Sequence, residues 1–73
     1  MDIGKLAVRK FGKRVKEARL SKGWSQLQLA EELGVTPTYI GRIERAERSP
    51  SLPMIARIAK VLDTSVSELC KDF

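Results

Sequence analysis

The chain has no histidine and one cysteine, Cys70, among its 73 residues. Without imidazole it lacks the side chain most often used for proton transfer near neutral pH, and a single thiol cannot complete a zinc site. A lone cysteine also excludes an intrachain disulfide, which makes a reducing cytoplasm the expected compartment. The opening stretch "MDIGKLAVRKFGKRV" has no apolar run long enough for an export signal or a membrane span. There is no glycine-rich phosphate loop and no nucleophile–base pair at a recognisable spacing, so catalysis is not expected. Ser21 and Ser49 fit caps or turns, and the adjacent Glu31 and Glu32 cannot face each other on a helix. Strand-type alternation is missing too. No cofactor, metal or small-molecule ligand is expected.

What remains is basic and helical. The net charge is +5, and it is unevenly spread. Residues 1–22 hold Lys5, Arg9, Lys10, Lys13, Arg14, Lys16, Arg19 and Lys22 against Asp2 and Glu17, whereas the rest of the chain is close to neutral. Such asymmetry fits a polyanionic partner, nucleic acid or an acidic membrane, or else a solvated helix face. An apolar content of 42% argues against disorder, and the length allows one domain, residues 1–73.

Stop and start signals divide the chain into five short helices, an all-α bundle. Phe11, Val15 and Ala18 recur at helical spacing before Gly23, a C-terminal cap, and Trp24 anchors the turn. Ser25 and Gln28 form a capping box for a second helix with Leu29, Ala30 and Leu33 inside, ended by Gly34. Thr36 caps the third helix, with Pro37 in its first turn. Ser51 caps the fourth, whose expected buried stripe is Leu52, Ile55, Ala59 and Leu62. The fifth opens on a second capping box, Ser65 to Glu68, and carries Val66, Leu69 and Phe73.

The third helix has two faces. At about 100° per residue, Ile43 and Glu44 lie roughly 60° and 40° either side of Ile40, on the inner face. Thr38, Arg42 and Arg45 fall on the outer face, and Tyr39 on the flank. A hydroxyl-and-guanidinium face suits a plain surface helix or one that enters the major groove, where arginine reads guanine edges and a threonine methyl touches thymine. The short turn before this helix forces a steep crossing with the second, and the capped start leaves backbone N–H groups for a phosphate. Glu44, at the edge of the core, needs a cation; Arg19 borders the inner face of the first helix, so the two are expected to pair.

These residues resemble a known family. "GWSQLQLAEELGVTPTYIGRIERAERSPSL" is similar to the helix-turn-helix domain of Cro/cI-type, phage-repressor-like (XRE) transcriptional regulators, through Gln26, Ala30, Gly34, Ile40, Ile43 and Glu44. Arg19, Gly23 and the "PSL" at 50–52 match as well, and the resemblance spans roughly residues 9 to 70. It implies a lambda-repressor-like fold, with the helix-turn-helix at about residues 25–45, that binds double-stranded DNA. Ser25, Gln26, Thr36 and Arg45 would meet phosphates; Thr38, Tyr39 and Arg42 would lie in or beside the groove. "TYIGRIERAER" is most similar to restriction–modification controller proteins, which adds Arg48 as a base-reading candidate. Pro37 departs from the arginine those controllers often carry, so Arg42 is the expected substitute reader.

The resemblance also implies a homodimer through about residues 52–73, using Met54, Val61, Val66, Leu69 and Phe73, with Leu69 also fitting the monomer core. RNA polymerase is a further implied partner; a membrane partner is not. A short chain leaves no expected effector domain. The competing readings are an antitoxin or adapter working through a protein partner, and sequence-independent nucleic-acid or membrane binding through the basic helix.

Overall fold

The computed structural model describes residues 3–71, which form five helices. These are α1 (Ile3–Ser21), α2 (Gln26–Leu33), α3 (Pro37–Glu44), α4 (Leu52–Val61) and α5 (Val66–Leu69). Among the described residues there is no strand, and no helix is long and apolar enough to cross a membrane.

The helix starts follow local chemistry. Ser25 Oγ accepts from the Gln28 amide at 3.1 Å, and Gln28 Oε1 accepts from the Ser25 amide at 2.7 Å, completing the reciprocal box. Thr36 Oγ1 caps the Tyr39 amide and Ser51 Oγ the Met54 amide, each ahead of a proline in the first turn. At α5 only half of the expected box forms. Ser65 Oγ accepts from the Glu68 amide, but the Glu68 carboxylate faces Lys71 Nζ at 3.4 Å and leaves the cap.

The first four helices end alike, on a left-handed residue with two backward hydrogen bonds, the Schellman arrangement. Gly23 (φ +73°) and Gly34 (φ +71°) adopt that conformation without strain. Ala46 (φ +61°) and Asp63 (φ +56°) adopt it despite a side chain. After α3, Ala46 N–H donates to Ile43 O at 3.1 Å and Glu47 N–H to Arg42 O at 2.8 Å. These two bonds turn the chain sharply back at the end of α3.

The core draws Phe11 and Val15 from α1, Leu29, Ala30 and Leu33 from α2, and Ile40 and Ile43 from α3. Ile58, Ala59, Leu62 and Leu69 close it. The third helix packs against both α1 and α2, α4 against α2, and α5 against α1 and α4. One expectation about this core is corrected. Leu52 is 71% exposed, because it occupies the first turn of α4, at the edge of the stripe. Ile58, unremarked in the sequence, is the fully buried centre of that stripe. Leu69, 2% exposed, is part of the monomer core, as α5 packs against α1 and α4.

Candidate nucleic-acid interface

A buried ionic knot positions α3. Arg19 Nε donates to Glu44 Oε2 at 2.7 Å, and Arg19 Nη2 to Glu44 Oε1 at 3.1 Å. The third guanidinium nitrogen donates to the Trp24 carbonyl at 2.7 Å, and Gln26 Nε2 donates to Glu44 Oε1 at 3.1 Å. The two charged side chains are only 7% and 3% exposed. Their charges lie out of water, so the parallel two-bond geometry and the extra donors are what offset desolvation. One cluster thereby fastens α1, the α1–α2 turn, the start of α2 and the end of α3. Gly12 adds close backbone contact: a Cβ there would lie 3.0 Å from the Glu44 oxygen, and closer still to the Ile43 oxygen.

The knot leaves the opposite face of α3 free. Thr38 and Arg42 are exposed, and Tyr39 is half-buried with its ring packed against the core. The Arg48 guanidinium lies over that ring, 5.7 Å from its centroid. Arg45, the C-cap of α3, is exposed but engaged: its Nε and Nη2 donate to Glu47 at 2.9 and 3.3 Å. The hydrogen bond from Arg45, together with that charge, holds the Glu47 carboxyl below its usual range, and the same bond raises Arg45.

The residues singled out from the sequence fall into three groups. Thr38, Tyr39, Arg42, Arg45 and Arg48 lie along α3 and the turn that follows it. Ser25 and Thr36 are exposed with their oxygens capping helices, although each hydroxyl can still donate outward. Gln26 is half-buried, with its amide nitrogen committed to the knot. On α4 and α5, Met54 and Val61 are half-buried against the core, Val66 is exposed and Leu52 adds an apolar side chain. Phe73 lies outside the described residues.

Sequence reasoning missed Glu47 as the partner of Arg45. The pair is two residues apart, a spacing that does not meet on a helix, and it forms only because the chain reverses at Ala46. The Arg48–Tyr39 stack depends on the same reversal. Among the described residues no group of histidine, cysteine or carboxylate side chains is placed to hold a metal.

A helix-turn-helix family model matches residues 15–69. The control protein C.SmaI of Serratia marcescens is 41% identical over 69 residues, covering 94% of this chain and 77% of the relative. The transcriptional regulator SinR of Bacillus subtilis is 41% identical over 60 residues, 81% of this chain; the chain spans only 54% of that relative's length. A crystal structure of SinR in complex with DNA superposes with a TM-score of 0.75 at 40% identity, covering 81% of this chain and 95% of that one. The restriction–modification controller protein C.AhdI from Aeromonas hydrophila superposes with a TM-score of 0.80 at 42% identity, covering 85% of this chain and 94% of that one.

Proposed function

Because the chain belongs to the helix-turn-helix family, we propose that it is a sequence-specific, double-stranded-DNA-binding transcriptional regulator of the controller type. The observation that carries this reading is the two-sided character of α3. Its inner face is locked by the Arg19–Glu44–Gln26 knot, while its outer face offers Thr38 and Arg42 with no acidic side chain between them. Arg42 reads base edges in the major groove, Thr38 and Tyr39 line it, and Arg48, stacked on Tyr39, extends the reading surface. Ser25, Thr36 and Arg45 hold phosphates and fix the register; Gln26 acts mainly by orienting α3.

The protein acts as a homodimer, through the exposed Leu52 and Val66 together with the half-buried Met54 and Val61. A two-fold axis there sets two α3 helices on half-sites about 34 Å apart. It works in the cytoplasm without catalysis, and contact with RNA polymerase is part of the proposal. The likeness to C.SmaI and C.AhdI supports the controller assignment, and the DNA complex of SinR supports the groove assignment.

Selection from a randomised duplex pool, followed by footprinting, tests the proposal. Two inverted half-sites about one helical turn apart are expected. Binding without enrichment that fades uniformly with salt would overturn it.

A further inference from the structure

The first half of α1 and the loop after α3 enclose a cleft of about 550 Å3, lined by Lys5 and Arg9 on one wall and by Arg45, Glu47 and Arg48 on the other. Four cations therefore border a space that holds one carboxylate, and that carboxylate is bound to Arg45 at 2.9 Å. Arg48 spans from the cleft to the Tyr39 ring, which makes the cleft continuous with the flank of α3. Its lining has no aromatic residue to hold a base, and it opens to solvent, as suits a passing strand better than an enclosed nucleotide. Both α1 residues precede residue 15, where the family match begins.

We propose that this cleft is a seat for a backbone phosphate of duplex DNA, on the strand bordering the groove that α3 enters. Arg9 and Arg45 approach the phosphate from opposite walls. In the free protein the Glu47 carboxylate stands where a phosphate oxygen comes to stand, and binding exchanges one anion for the other on Arg45. This seat rests on the DNA-binding reading above and extends it in two ways. It recruits α1, an element that touches none of the bases, and it assigns Glu47 the role of an internal competitor that lowers affinity for any duplex.

The test is equilibrium binding across a salt series, with the selected operator and an unrelated duplex, for the intact protein, Arg9→Gln, Glu47→Gln and Lys60→Gln. Arg9 and Lys60 are both exposed, and Lys60 sits on α4, away from the cleft. A dimer carries the seat twice, so Arg9→Gln removes two phosphate contacts per bound dimer and reduces the magnitude of the log K against log salt slope by about 1.8, or about sixtyfold in affinity at 0.1 M salt. Arg9→Gln is expected to show that loss equally on both duplexes, Lys60→Gln to keep the slope, and Glu47→Gln to bind both more tightly. Intact protein that binds the operator while Arg9→Gln keeps its slope overturns the seat and leaves the DNA reading standing. Equal losses in Arg9→Gln and Lys60→Gln also overturn it, since a diffuse positive field then accounts for both. Weaker binding by Glu47→Gln overturns the exchange at Arg45, and intact protein that binds neither duplex removes the DNA reading and the seat together.

Discussion

Replacing Gly12 with alanine sets two opposed effects against each other. In a helix interior, Gly→Ala gains about 1 kcal/mol from backbone entropy. Against that, the new Cβ would meet the Ile43 carbonyl oxygen nearer than real Cβ contacts occur, with the Glu44 oxygen at 3.0 Å and carbonyl carbon at 3.2 Å. All three are backbone atoms, so no rotamer change relieves the clash. The only remedy is to part α1 from α3, which stretches the Arg19–Glu44 hydrogen bonds from their 2.7 and 3.1 Å and loosens the packing of Phe11 and Val15. Overpacking of this kind costs about 1–3 kcal/mol, and a loosened buried ion pair adds to it. A net loss of about 2 kcal/mol lowers the Tm of a domain this size by roughly 8–16 °C. Gly41→Ala is the matched control, because the nearest groups to its Cβ would be the flexible Arg45 guanidinium at 2.9 Å and Gln26 Oε1 at 3.6 Å. That variant is expected to be as stable as the parent or more so. Thermal melts followed by circular dichroism check both, and a Gly12→Ala protein that melts at or above the parent would refute the close-packing argument.

Arg19→Met leaves Glu44 buried with Gln26 as its one remaining side-chain donor, and is expected to cost about 3–5 kcal/mol in urea unfolding. Adding Glu44→Leu should restore most of that loss. Ala46→Gly removes left-handed strain at φ +61°, and should raise stability by roughly 0.5–1 kcal/mol once the extra unfolded-state freedom of glycine is subtracted. Arg42→Ala should cost about 1–3 kcal/mol per half-site on the operator and relax selection at the matching base pair of each half-site, whereas Arg45→Ala should weaken all duplexes alike. Val66→Glu acts twice across the proposed two-fold interface, so a loss of about 3 kcal/mol, roughly a hundredfold in dimer Kd, is expected by sedimentation.

The helix boundaries were legible because their signals are local. Ser25 with Gln28, Thr36 with Pro37, and Gly23 and Gly34 each state their role within a few residues of sequence. The left-handed turns at Ala46 and Asp63 were not legible, since neither residue advertises a positive φ and tertiary packing imposes it. Helical spacing placed Leu52 on the buried stripe of α4, but spacing gives a face and not an overhang, and Leu52 stands in the first turn, exposed. The outer face of α3 could be read, but not the engagement of Arg45, which depends on where the chain goes after the helix stops. Gly12 was unreadable for the same kind of reason, because a close approach between helices leaves no periodic trace.

For the DNA binding proposed above, the knot that ties α1, α2 and α3 together through Glu44 has a consequence. A reading surface whose helices are fastened by four charge-assisted and amide hydrogen bonds cannot mould itself to each duplex it meets. It behaves as a stamp, and whatever misfit exists between stamp and groove must be absorbed by the double helix. Base steps that bend or narrow easily are then favoured even where no side chain touches them, and flexible pyrimidine–purine steps outside the contacted positions become part of the recognised sequence.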